Sequence, residues 1–133
     1  MRLLPIACLA LSLAPPPAAA DPVAEGRAVW VDACASCHGP AARGDGPMAG
    51  ILVLPVPDLT GLAAANDGTF PWLRVVHLVD GRSGLRGHGG PMPIFGALMR
   101  GDAVAAEAPD GTPLITSARV LAVVAWLDSV QVK

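Results

Sequence analysis

An all-α domain of about three to five helices is predicted by three observations. Apolar residues recur three and four apart in Trp72, Val75, Val76 and Val79, and again in Val120, Val123, Val124 and Leu127, which is the spacing of a buried helical stripe. A further stretch, Val23 to Cys37, begins with the chemistry of a helix start. The segments between are crowded with glycine and proline, and no convincing strand and no internal repeat stands out.

Taken in order, the first helix runs from Val23 to Cys37, with Asp21 as N-cap, Pro22 at the first helical position and Glu25 in the first turn. Gly39-Pro40 stops it. From Gly39 to Pro57 the breakers Gly44, Gly46, Pro47, Gly50, Pro55 and Pro57 predict an irregular loop. Asp58-Leu59-Thr60 caps a brief helix through Ala65, which Asn66-Asp67-Gly68 ends in a turn. Thr69 caps the next helix, Thr69 to Asp80, with Pro71 in its first turn and Gly81 at its close. Arg82 to Gly96 is glycine- and proline-dense, as suits a loop lying close to a flat ligand. The last helix spans about Ala118 to Val130, capped by Thr116 or Ser117. Gly26 costs stability in a helix unless a partner must come close, so the first helix is expected to cross the last at Gly26 and Trp126. Residues Gly101 to Leu114, acidic and alanine-rich with Pro109-Asp110-Gly111, fit either a surface loop or a partner-specific insertion.

The amino end predicts export. Arg2, an apolar run from Leu3 to Leu13 and Ala18-Ala19-Ala20 before Asp21 form a signal-peptide pattern, so residues 1–20 are expected to be removed and 21–133 to form one domain. The run is too short to span a bilayer, and no integral membrane segment is expected in the remaining chain. Cys8 would be discarded with the leader, leaving Cys34 and Cys37. Without residues 1–20, eight basic side chains stand against eleven acidic ones, a formal −3. Lysine is represented by Lys133 alone, which argues against a nucleic-acid partner. Arg74, Arg82, Arg86 and Arg100 nevertheless gather between residues 71 and 101, opposed there by Asp80 alone.

Cys34-Ala35-Ser36-Cys37-His38 carries the chemistry. Two cysteines three apart with histidine directly after the second form the attachment signature of c-type haem, in which both thiols reach the two vinyl groups of one porphyrin and the imidazole binds iron from below. A structural zinc site needs four ligands, and no second cysteine pair exists. A thioredoxin-like pair or a simple disulfide leaves His38 unexplained. Cys34 and Cys37 are therefore expected to hold one haem c covalently, with His38 as an axial ligand. So small a core gains apolar surface from such a group and should fold poorly without it.

With Gly44-Asp45-Gly46-Pro47 after the motif, Gly90-Pro91-Met92-Pro93 in a late loop and Val124-Ala125-Trp126-Leu127 in the closing helix, the chain resembles the small, single-haem, class I c-type cytochromes over nearly all of residues 21–133. The resemblance implies a cytochrome c-like fold, with amino- and carboxyl-terminal helices packed around one covalently bound haem, and electron transfer as the task. It also implies Met92 as the second axial ligand. Pro91 and Pro93 restrict the backbone on either side, and a soft thioether favours ferrous over ferric iron. His88, four residues earlier, is the main rival; Met48, Met99 and His77 are weaker ones. A carbonyl in Gly46-Pro47 is expected to accept from the free nitrogen of His38. Trp72 or Trp126 could bond a haem propionate, and Arg82 or Arg86 could offset its charge or form a docking face.

The resulting expectation is a monomeric periplasmic one-electron carrier, not an enzyme, that docks transiently with redox partner proteins. A dedicated haem-relay subunit of a periplasmic dehydrogenase or oxidase is the alternative. An open-iron enzyme or gas sensor ranks last, because no distal acid-base pair is evident.

Overall fold

Asp21 starts the first helix in the computed structural model, which describes residues 21–82, 92, 99 and 101–132. Its carboxylate accepts from the Val23 amide at 2.9 Å, and Pro22 occupies the first helical position of α1, Pro22–Ala33. The expected single helix to Cys37 is broken at Cys34 (φ −119°, ψ −33°), and a separate turn, α2, spans Ala35–His38. The Cys34 carbonyl accepts from both Cys37 (3.2 Å) and His38 (3.0 Å), so the break shifts the last turn without orphaning its amides.

The loop after α2 closes back on it. Amides of Gly44, Gly46 and Met48 donate to the carbonyls of His38 (2.8 Å), Cys37 (3.1 Å) and Ser36 (2.8 Å), satisfying acceptors that a helix end leaves without partners. Gly46 makes this approach possible, since a Cβ there would lie 2.5 Å from the Cys37 oxygen and 2.6 Å from that of Ala35. Single 3₁₀ turns follow at Ala49–Ile51 and Ala64–Asn66. The second replaces the brief helix expected from Asp58. Asp58 instead closes a local turn, accepting from the Thr60 amide (2.8 Å) and hydroxyl (2.7 Å).

Helix α3 is Trp72–Val79, three residues later at its start than expected, and no side chain caps it. Pro71 explains the difference, because the residue before a proline is pushed out of the helical region, so Thr69 and Phe70 remain outside. Gly81, at φ +83°, follows its end as foreseen.

The all-helical expectation fails at 103–117. Two strands, β1 (Ala103–Glu107) and β2 (Pro113–Ser117), form an antiparallel hairpin in register Ala103↔Ser117 to Glu107↔Pro113. Pro109-Asp110-Gly111 is its turn: Asp110 accepts from the Thr112 amide at 2.9 Å and the Ala108 amide donates to the Thr112 carbonyl at 2.9 Å. Three alanines in β1, a residue poorly suited to strands, concealed the pairing. Ser117 ends β2 and caps α4, Ala118–Ser129, accepting from Val120 at 3.2 Å.

Helices α1 and α4 pack directly together at the glycine expected to allow it. A Cβ on Gly26 would fall onto the Ala122 carbonyl and within 2.9 Å of the Trp126 Cβ. One turn along, the Trp30 and Trp126 rings lie 4.7 Å apart, and around them Val76, Val120, Val123, Val124 and Leu127 form the buried core. Gln131 then clasps the carboxyl end to the segment before α3, donating to Leu59 O (2.9 Å) and accepting from the Ala63 amide (3.0 Å). Among the described residues, no helix is long and apolar enough to cross a membrane.

Candidate functional site

A cavity of about 450 Å³ opens where α2, the loop at 48–57, α3 and α4 meet. Its walls include Cys34, Cys37, His38 and Met92, so residues 58 positions apart in sequence share one space. Leu59, Leu62, Val75, Leu78, Val123 and Leu127 supply much of the remaining lining. The volume lies within the range of about 300–1,000 Å³ usual for small-molecule and cofactor sites.

Each element contributes for a local reason. The break at Cys34 and the Gly44–Met48 amides together set the last turn, which carries both thiols and the imidazole. Burial, and secondarily the Cys37 thiol, push the Cys34 thiol up to about 11, so it stays protonated at neutral pH. Burial also lowers the His38 pKa, favouring the neutral imidazole that can bind a metal. Its Nδ1 is buried and makes no hydrogen bond of ordinary geometry, although the Pro57 carbonyl lies near enough to oppose part of that lowering. Pro57 is thus the acceptor adjacent to Nδ1. The Gly46-Pro47 carbonyl expected in this place is not the one beside the ring; the Gly46 amide instead holds the Cys37 carbonyl.

Trp30, which sequence reasoning passed over, frames the imidazole. Its ring lies 5.7 Å from that of His38, and its buried Nε1 donates to the Gly39 carbonyl at 2.9 Å, locking the chain just past α2. Its position four residues before Cys34 on one helix face was the available signal. The tryptophans favoured from sequence lie elsewhere: Trp126 packs against Trp30 with its ring tilted, and Trp72 packs half-buried against the core.

The competing ligands separate as well. Met99 is 2% exposed and belongs to the core, and His77 is half-buried on α3 and does not line the cavity. Met48 does line it, as does the half-buried Met92. His88 and Arg86 lie outside the described residues. Arg82 is turned to the hairpin, paired with Asp80 at 2.7 Å and donating to the Ile115 carbonyl, while Arg74, among the described residues, is the arginine on the cavity wall.

Two thiols beside a neutral imidazole, methionine thioethers on the wall and an otherwise apolar enclosure fit a flat iron macrocycle, and the unpartnered Nδ1 leaves the imidazole a donor for its own orientation. Comparison with known proteins agrees. A family model described as cytochrome c matches residues 23–131. No curated protein and no solved structure matches the chain. Since that match spans nearly the whole chain, covering the motif, the cavity and the closing helix, the protein belongs to the cytochrome c family, whose members bind haem c covalently and transfer electrons.

Proposed function

We propose that this protein is a periplasmic one-electron carrier holding a single haem c through Cys34 and Cys37, with His38 and Met92 as axial ligands and no bond of a substrate broken. One observation carries the reading: these four side chains line the same apolar cavity. The haem supplies an iron that cycles between ferrous and ferric states.

The chain's own residues do the rest. Cys34 and Cys37 fix the group to the turn α2 and the residue before it, where the Gly44, Gly46 and Met48 amides hold the turn still. His38 directs one nitrogen into the cavity and, with slight movement, donates from Nδ1 to Pro57, which raises its basicity. Met92 offers a thioether that favours the ferrous state. Leucine, valine and proline side chains exclude water, so little solvent must reorganise when charge changes.

Partner contact is assigned to the mouth of this cavity. Leu52 and Leu54 line it, and beside them Ile51 is 76% and Val53 100% exposed. An apolar rim of that size suits a brief encounter with a redox partner. Export of the chain and loss of residues 1–20 belong to the same proposal, because haem is joined to such motifs outside the bacterial cytoplasm.

Replacing Met92 with alanine tests the ligand set. The ferric variant is expected to lose the weak sulfur-to-iron absorbance toward the red while keeping covalent haem, whereas Met48→Ala retains it. An unaltered spectrum in Met92→Ala would overturn the assignment.

A further inference from the structure

Among the described residues that line the cavity, Arg74 carries the one formally charged side chain. It stands on α3 within a turn of Val75, Leu78 and Val79, which line the same wall, and it both lines the cavity and is exposed, as suits an arginine whose stem covers apolar surface and whose head stays in water. Arg82, the arginine that sequence alone suggested for this neighbourhood, is engaged by Asp80 and by the hairpin instead.

A haem brings two carboxylates, the propionates, into a space whose walls are otherwise nearly all apolar. An ionised carboxylate placed there without a partner is costly, and a guanidinium offers two parallel donors matched to its two oxygens. We infer that Arg74 is the anchor for a haem propionate, binding it at the cavity rim. This inference rests on the haem reading above and adds a residue to it. A fixed positive charge beside the ring opposes the extra positive charge of ferric iron. Arg74 therefore raises the reduction potential as well as orienting the carboxylate.

Haem-loaded wild type, Arg74→Gln, Arg74→Lys and Arg82→Gln separate the possibilities when their intact masses, reduction potentials and resonance Raman spectra are compared. Arg74→Gln is expected to lower the potential and to shift the propionate bending band, with the drop in potential shrinking at high ionic strength because the site is at the rim. Arg74→Lys, which keeps the charge and loses the fork, should give an intermediate potential and a shifted band. Arg82→Gln, which removes the same charge away from the cavity, should leave both near wild type. Equal drops in Arg74→Gln and Arg82→Gln, or a wild-type potential and band in Arg74→Gln, would overturn the inference. Should Arg74→Gln not mature, Arg74→Lys decides: an unmoved band with a wild-type potential overturns it, and a moved band supports it. Wild-type protein without haem would overturn the parent reading too, whereas the other contrary results sink this inference alone.

Discussion

The turn bearing Cys34, Cys37 and His38 and the hairpin at 103–117 are secured in opposite ways. Around the turn, three loop amides from 44–48 bind carbonyls at 36–38, so partners lie close in sequence and each bond closes a short loop. The hairpin is tied to the body across long separations. Arg82 donates to Ile115, Thr116 donates to Asp80 at 3.3 Å and Ser117 donates to the Met99 carbonyl at 2.6 Å. Where the backbone must hold three chemical groups in one geometry, this chain spends local, dense hydrogen bonding. The hairpin, with exposed alanines along β1 and Ile115 65% exposed, is attached by a few polar clasps.

The largest effect should come from the packing that supports the turn. Gly26→Leu drives a side chain into the Ala122 carbonyl, a clash with backbone that side-chain movement cannot relieve. A cost above about 3 kcal/mol is expected, read as a Tm lower by more than about 10 °C and a sharply reduced haem-loaded yield. Unchanged Tm and yield would show that α1 and α4 do not meet there.

Arg82→Ala addresses the other side of the comparison. It removes an ion pair with Asp80 and a donor to β2, both partly exposed, so a stability loss of about 1 kcal/mol, read as a lower urea midpoint, is expected while the visible spectrum of loaded protein stays that of wild type. A changed spectrum would show that the hairpin and the cavity are one cooperative unit.

Asp58 gives the smallest effect and a sign that can be checked. Bonds from the Thr60 hydroxyl and then the Thr60 amide hold its carboxyl below its ordinary value of 3.8, with slight burial opposing and Arg43 assisting. Because the folded value is the lower one, the stabilisation is complete above the unfolded value and is lost as pH falls through the folded one. Asp58→Asn should therefore be slightly less stable than wild type at pH 7, with the gap closing as pH falls below about 4 because the variant has no such contribution to lose. Parallel acid profiles for the two proteins would contradict this.

The same contrast explains what could be read from sequence. Asp21 with Pro22, Ser117, Gly81 and the requirement for a close neighbour at Gly26 are matters of local chemistry, and each holds in the structure. The four residues expected around haem do share one cavity, because spacing fixes three of them on a single turn. What escaped depends on the path of loops and on pairing across the chain. The first strand of the hairpin is mostly alanine, which carries no strand signature for Leu114, Ile115 and Thr116 of the second to pair with, and Gln131 reaches Leu59 across 72 positions. Pro57 rather than Pro47 approaches His38 because the loop at 44–48 is drawn down onto α2. Arg74 rather than Arg82 lines the cavity because Asp80, at the end of α3, holds Arg82 toward the hairpin.

The central claim is one porphyrin joined to this chain by two thioether bonds, and the direct measurement is the intact mass and visible spectrum of protein produced in cells with working cytochrome assembly. A mass equal to residues 21–133 plus a single haem that survives denaturation, with a Soret band that vanishes in a Cys34→Ala, Cys37→Ala double variant, is expected. Protein that weighs only what its amino acids weigh and shows no Soret absorbance would contradict the account.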